Sequence, residues 1–223
     1  MPPHRAKIQL VAAGAAVAFL AACQPAPLAP ASAPVVQPQY TPRAPTPPFR
    51  ASATTIVPPL RADGLRQTIN RDLGPLETLW HVRSALNVAA LSCTGPLYAR
   101  LVDDYNAFIK NNSSSLRRAN NAIKAKFRRE ISDRKAHDRH QTSLYNYWSF
   151  SPLRRPFCDQ AVQVSQRAIV TKSKNLNEFA AQVLPELEQP FNDFYLAYEQ
   201  YQRDLEAWNV QYGQPQSSQA SSD

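Results

Sequence analysis

The sequence predicts an all-α protein: an antiparallel bundle of about five helices, held by one disulfide and carried on a disordered Pro-rich tether. Apolar residues recur every three or four positions from Arg61 onward, as they do on one face of an α-helix. No stretch alternates apolar and polar residues in the way of a half-buried strand. Helices joined by short loops pack as antiparallel neighbours, which indicates a bundle.

The composition divides the 223 residues into four parts. Residues 1–22 have the character of an export signal. Residues 23–60 hold 11 of the 20 prolines, a composition that favours extended polyproline II chain over a packed core. Residues 61–212 are long enough for one mid-sized helical domain, and residues 213–223 form a polar tail predicted to be disordered. We interpret residues 23–60 as a spacer between membrane and domain; an unselected leader is the alternative.

The N-terminus has a recognisable order of segments. A short basic stretch is followed by the apolar run Ile8–Leu20, which at 13 residues is too short to span a bilayer. Leu20, Ala21 and Ala22 then precede Cys23. This order resembles the lipobox signal peptide of bacterial lipoproteins, in which a branched apolar residue and two small residues come before an invariant cysteine.

The resemblance implies that the Cys23 thiol takes up diacylglycerol and that the mature chain begins at a triacylated, palmitate-bearing Cys23. Two or more acyl chains anchor a protein stably. Gln24, where the family uses Asp for retention in the inner membrane, favours the outer membrane with the domain in the periplasm. An ordinary secretory signal with an incidental Cys23 is the alternative. The resemblance ends at about residue 24, and the helical domain resembles no family.

The first two helices have clear start and stop signals in the sequence. Gly74-Pro75 opens the first helix, because proline is favoured at the first helical position. The breaker Cys93-Thr94-Gly95-Pro96 ends it, and Pro96 is expected to start the second helix. The polar stretch Asn111–Ser115 ends the second helix.

The later elements are less regular. We predict a third helix from about Ser115 to His137, an irregular aromatic segment over Tyr145–Phe157, and a fourth helix from Phe157. The last helical region begins near Leu176 and is expected to kink or restart at its prolines. Its apolar spacing alternates three and four, as in a coiled-coil seam, at Phe191, Phe194, Tyr198, Tyr201, Leu205, Trp208 and Tyr212.

With Cys23 assigned to lipid, two cysteines remain, Cys93 and Cys158. An even pair behind an export signal predicts a disulfide, here between the end of the first helix and the start of the fourth. Two free buried thiols are the alternative. No Cys-x-x-Cys motif is present, so we expect the bridge to be structural.

Charge is segregated along the chain, whose formal net charge is +8. Residues 98–174 hold 16 basic and 6 acidic residues, whereas residues 175–212 hold 1 basic and 7 acidic residues. A basic stripe on the third helix is the candidate site for an anionic polymer such as peptidoglycan: Arg117, Lys124, Arg128, Arg129 and Lys135. Two other readings stay open. In the first, the stripe is a solvated face with local pairs such as Lys126–Glu130, Arg129–Asp133 and Glu130–Arg134. In the second, the acidic last helix packs beside the basic one.

Exposed aromatic residues would suit a protein partner. Four are the candidate partner-binding residues, in the aromatic segment and on the last helix: Tyr147, Trp148, Tyr195 and Tyr201. An apolar seam wider than one bundle needs would also permit self-association. The alternative is that these rings belong to the core.

No pattern in the sequence predicts catalysis. The motifs G-x-S-x-G and H-E-x-x-H and a phosphate-binding glycine loop are missing. Asp133 and His137 would suit two metal ligands, but spacing supplies no third, so we predict no metal and no cofactor. His81 is expected to be a half-buried histidine, and Glu186 and Glu188 are expected to point apart.

These observations predict a lipid-anchored envelope protein with a non-catalytic periplasmic domain that acts as an adaptor or scaffold for other envelope proteins. The alternative is anchoring to peptidoglycan through the basic stripe, and an unrecognised cell-wall enzyme is the third hypothesis. Nucleic acid is not an expected partner, because an exported protein seldom meets it.

Overall fold

The computed structural model describes residues 40–130 and 135–213, except for the side chain of Glu130. The expected signal peptide, Cys23, residues 24–39 of the tether, Asp133 and the tail after Gly213 lie outside the described residues. In the described ranges, no helix is both long and apolar enough to cross a membrane.

The predicted all-α bundle is confirmed. Within the described part of the chain six α-helices occur, joined by short turns: α1 (Pro75–Ser92), α2 (Leu101–Asn111), α3 (Ser113–Glu130), α4 (Ala136–Trp148), α5 (Arg154–Ala168) and α6 (Leu176–Tyr212). Over the same residues, extended pairing is limited to one isolated bridge between Leu60 and Arg66.

Helix α1 is the centre of the bundle and packs against all five other helices. It begins where the sequence predicts, with Pro75 at the first helical position and Gly74 before it. The Glu77 carboxylate accepts the Gly74 backbone N–H at 3.0 Å, which satisfies a donor that the helix itself cannot. Because α1 is surrounded, even its polar residues His81 and Ser84 are fully buried.

The structure corrects two boundaries in the middle of the chain. Helix α3 is described as far as Glu130, and His137 belongs instead to α4, which begins at Ala136. The aromatic stretch predicted to be irregular is helical as far as Trp148. Leu144 and Trp148 lie one turn apart on the buried face of α4. Burial of this face therefore stabilises a helix that the local sequence alone does not predict.

Helix α6 does not restart at Pro185 or Pro190 but continues through both as one element of 37 residues. Each proline removes one backbone hydrogen bond from a helix. The apolar face on either side, which includes Val183, Leu187 and Phe191, is buried in the core. Packing on both sides of the prolines therefore maintains the helix.

The predicted disulfide is confirmed. Cys93 directly follows α1 and Cys158 lies in the second turn of α5, with 5.7 Å between their Cα atoms. The bridge closes a loop with a sequence separation of 65 residues. In the chain-entropy model such a closure contributes about 4 kcal/mol to stability.

Residues 41–60 are not the free tether that their composition predicts. The compact unit that contains the helices begins at Thr41. Trp208 Nε1 donates to the Pro42 carbonyl at 2.8 Å, and the Phe49 ring meets the Phe194 ring edge-on at 6.3 Å. The Tyr198 hydroxyl donates to the Ser52 carbonyl at 2.8 Å. These contacts attach the segment to α6, so the boundary at residue 60 is wrong for this stretch.

The Tyr198 hydroxyl also accepts the backbone N–H of Thr55 at 3.1 Å. We expect Tyr198→Phe to lower the free energy of unfolding by about 1 kcal/mol, because both hydrogen bonds of the hydroxyl to this segment are lost, while the Ser52 carbonyl and the Thr55 N–H keep the bond that joins them to each other. Limited proteolysis should cut residues 41–60 sooner in this variant. Tyr201→Phe is the matched control, since the Tyr201 hydroxyl makes no hydrogen bond within the described residues. Equal proteolysis of the two variants would contradict the assigned role of Tyr198.

Candidate functional site

A buried carboxylate is the centre of a polar cluster that joins the segment before α1 to α4 and α6. Glu188 of α6 is only 1% exposed. Its Oε1 accepts hydrogen bonds from Thr68 Oγ1 at 2.9 Å, Asn70 Nδ2 at 3.1 Å and the Tyr147 hydroxyl at 3.1 Å. Arg71 Nη1 lies 3.1 Å from Oε2 and supplies the opposite charge. Four donors therefore compensate the burial of this charge.

The cluster continues from Glu188 into α1. Because Asn70 donates through Nδ2 to Glu188, its Oδ1 is the atom that faces His81 Nδ1, at 2.7 Å. An amide oxygen only accepts, so we assign the proton of His81 to Nδ1. His81 Nε2 is then unprotonated and faces His140 Nε2 of α4 at 3.3 Å. His140 must be the donor in this contact.

Both imidazoles are held in the neutral form. Burial lowers the pKa of His81 to about 3, and a proton on His140 and the positive charge of Lys126 both oppose protonation of His81 further. Burial also lowers the pKa of His140, against the opposing effect of Glu77. Burial, followed by the neighbouring Glu188 charge, raises the pKa of Tyr147 well above its usual value. At neutral pH the cluster thus carries its charge on Glu188 and Arg71.

This arrangement is suited to stabilisation rather than to catalysis at Glu188. Both carboxylate oxygens have donors, and Tyr147 lies across one side with its ring stacked on Phe191 at 4.5 Å. Through Glu188 the segment that precedes α1 is bound to α4 and α6. Over the described residues, no three His, Cys, Asp or Glu side chains already form a metal-binding group.

The structure places the predicted basic stripe on the outside of α3. Leu116, Ala119 and Ile123 form the buried side of this helix, which packs against α1, α2 and α4. The opposite side is exposed and carries four of the predicted polymer-binding residues: Arg117, Lys124, Arg128 and Arg129. Lys135 is also exposed, but it lies after the end of α3 and directly precedes α4. The stripe on α3 is therefore one residue shorter than expected.

Local pairing does not account for this charge in the described residues. Lys126, predicted to pair with Glu130, instead lies 2.7 Å from Glu77 of α1. The predicted pairs Arg129–Asp133 and Glu130–Arg134 involve atoms outside the described set. Within that set, no ion pair joins the four α3 residues named above to an acidic side chain.

Three of the seven acidic residues of α6 pair with arginines that lie outside α3. Glu188 pairs with Arg71, Glu199 makes a two-pronged contact at 2.8 Å with Arg66, and Glu186 pairs with Arg167 of α5. Packing of the acidic last helix beside the basic third helix is thus not what neutralises α6.

The predicted partner-binding aromatics are wrong as a surface site. Trp148, Tyr195 and Tyr201 are buried, at 1%, 7% and 8% exposure. The Tyr147 ring stacks on Phe191, and its hydroxyl donates a hydrogen bond to Glu188. Tyr147 and Trp148 pack against Phe191, whereas Tyr195 packs against Phe194 and Tyr201 against Tyr198. Burial of this large aromatic area stabilises the core. The rings form the interior of the bundle, as the alternative interpretation allowed.

Sequence reasoning missed the cluster around Glu188. It considered Glu186 and Glu188 only as a pair, and the structure does separate them, one to the surface and one to the core. A signal was present. Glu188 falls on the stripe of Leu184, Phe191 and Tyr195, and an acid within an apolar helical stripe indicates a buried partner. Its partners Thr68 and Asn70 lie 120 and 118 residues away and had no such signal.

Comparison with known proteins identifies no relative. No family model matches the chain, and no curated protein or solved structure is significantly similar to it.

Replacement of Glu188 tests the role of the cluster. We expect Glu188→Gln to lower the free energy of unfolding by about 3 kcal/mol, because it leaves the buried Arg71 charge without its partner. Urea unfolding at pH 7 measures this change. Glu186→Gln is the matched control two residues away, and loss of its partly exposed pair should cost less than about 1 kcal/mol. Equal losses in the two variants would contradict a special role for Glu188.

Proposed function

We propose that this chain is a lipid-anchored protein of the bacterial outer membrane whose helical domain binds an anionic envelope polymer such as peptidoglycan, without catalysing a reaction. The observation that carries the polymer-binding part is the exposed basic face of α3. Its charges have no acidic partner among the described residues, and Glu186, Glu188 and Glu199 of α6 are paired with arginines outside α3. The lipid anchor and the periplasmic location rest on the resemblance of residues 1–24 to lipoprotein signals.

An elongated polyanion suits this face because its charges repeat along one side of a straight helix. Arg117, Lys124 and Arg128 are separated by seven and then four residues, so they line up along the helix axis over about 16 Å. Arg129 lies beside this line. A row of this kind favours a long chain with repeated negative groups over a single small anion.

Binding of another envelope protein is the second candidate. A groove of about 490 Å³ beside the disulfide favours it. Exposed apolar and ring-bearing side chains line this groove, with two arginines from the start of α5: Pro96, Leu97, Tyr98, Pro152, Arg154 and Arg155. Leu97 is 77% exposed, as a side chain at a contact surface would be in the free protein.

Co-sedimentation with isolated cell-wall sacculi tests the polymer proposal. We expect residues 24–223 to pellet with sacculi at low salt and to be released at high salt, because exposed charges are screened within ~10 Å at 0.1 M. Arg128→Glu/Arg129→Glu should lose most of the binding.

The matched control is Arg154→Glu/Arg155→Glu, which reverses the same amount of exposed charge at the groove instead of at α3. This variant should pellet like the wild type. Loss of pelleting in both variants would mean that net charge alone governs binding. Absence of pelleting at low salt would refute polymer binding and favour the protein partner.

Lipidation is tested separately. In a bacterial host we expect the wild type to incorporate a palmitate analogue and to fractionate with the outer membrane, because acyl chains at Cys23 hold it there. Cys23→Ser should lose the label and leave the membrane fraction. Cys93→Ser/Cys158→Ser should keep the label, since these cysteines form the disulfide. Membrane association of an unlabelled Cys23→Ser variant would show that another feature holds the protein.

A further inference from the structure

Histidine is rare in this chain, and its distribution in space is uneven. The chain has four histidines, of which His4 belongs to the expected signal peptide outside the described residues. The other three meet at one place between α1 and α4. His81 and His140 are in direct contact, and Phe127 packs its ring against both His140, at 4.9 Å, and His137, at 5.8 Å.

The contact between His81 and His140 has the dimensions of a metal-ligand pair. Two nitrogen ligands placed 2.0–2.1 Å from one tetrahedral ion are separated by about 3.3 Å. The two Nε2 atoms lie 3.3 Å apart. In the metal-free protein one hydrogen bond joins them, with the proton on His140 Nε2. Coordination requires that His140 change its tautomer, so that the ring proton lies on Nδ1 and Nε2 is free to bind the ion.

His81 is already oriented as a ligand. Its Nδ1–H donates to Asn70 Oδ1 at 2.7 Å, and Asn70 is itself held by the Glu188 carboxylate at 3.1 Å. Histidines that bind metals use their second ring nitrogen in the same way, which fixes the tautomer and aims the free lone pair. The lone pair of His81 Nε2 therefore points at His140 before any ion arrives.

His137 lies one turn before His140 on α4, so both side chains project from the same side of the helix. Its Nε2 is buried and has no hydrogen-bond partner in the described residues. Rotation of this side chain would supply the third imidazole, which the resting arrangement does not yet provide. Asp138 Oδ1 lies 3.5 Å from His137 Nδ1, and the other nearby charges, Lys126 and Glu77, pair with each other at 2.7 Å and so largely cancel.

We infer that His81 and His140 are the fixed ligands of a binding site for a divalent transition-metal ion, Zn²⁺ in particular, and that His137 completes the site. Neutral imidazole ligands favour zinc, copper and nickel over magnesium or calcium. Zinc fits best because it accepts tetrahedral geometry without redox change. This site is independent of the α3 basic face and of the lipid anchor.

The experiment uses the full lipidated chain, purified in detergent without a polyhistidine tag and stripped with a chelator. Isothermal titration with Zn²⁺ at pH 7.5 should give one ion per chain, and elemental analysis after dialysis should retain it. Asn70→Ala should weaken affinity about 10- to 100-fold, because it removes the orienting hydrogen bond of His81. His140→Gln should abolish one-to-one binding, and His137→Gln should weaken it. Glu178→Gln, an exposed acid on α6, is the control and should change nothing.

A measurement on the wild type keeps the inference testable if a variant fails to fold. In protein labelled with ¹⁵N-histidine, Zn²⁺ should shift the Nε2 resonances of His81 and His140 and leave Nδ1 of His81 protonated. Absence of binding would overturn the site. Unchanged affinity in His140→Gln, or shifts at Nδ1 of His81, would overturn it equally.

Discussion

The buried carboxylate of Glu188 is the constraint on which the rest of the described structure depends. An ionised group out of contact with water is tolerated only when opposite charge and hydrogen-bond donors surround it. Here the donors come from two places: the segment before α1, which supplies Thr68, Asn70 and Arg71, and helix α4, which supplies Tyr147. These parts must assemble together, since each alone leaves the carboxylate incompletely paired. Asn70 extends the same requirement to His81 at the centre of the bundle.

The pairing of the α6 acids also decides what the surface presents. Arg66 and Arg71 precede α1 and Arg167 lies on α5, and these three arginines pair with Glu199, Glu188 and Glu186 of α6. On α3, Lys126 pairs with Glu77, whereas the outward-facing basic residues have no acidic partner among the described residues. The charge segregation along the chain is therefore neutralised in part by ion pairs within the fold, and in part it remains on the surface. The part that remains, the positive face of α3, is what supports a polyanionic ligand.

The basic face of α3 and the histidine cluster both lie on helices that the bundle holds rigidly. Helix α1 holds α3 on one side and α6 on another, and the disulfide joins its end to α5. A binding face on a helix fixed in this way needs no ordering when its ligand arrives, which lowers the cost of association. The histidines benefit similarly, because Asn70 and Glu188 hold His81 in place by contacts that stability already requires.

Local features of the sequence determined much of the framework. Gly74-Pro75 marks the start of α1, the period of three to four residues predicts the helices, and an export signal with two further cysteines predicts the disulfide. The basic side of α3 also follows from periodicity, because a helix with one apolar side must turn the other to solvent. Each of these inferences uses residues within a few turns of one another or a pair with one possible pairing.

Only the tertiary structure decided which amphipathic faces are buried and which distant groups meet. The rings of Trp148 and Tyr195 enter the core, although their spacing suited a surface equally well. Residues 41–60 pack on α6 despite a composition typical of a tether, because Tyr198 and Trp208 supply partners for their backbone. His81 and His140 are 59 residues apart in sequence and meet through packing alone. Whether a side chain is buried depends on which distant segment packs against it. The spacing of residues within one helix does not show which segment that is.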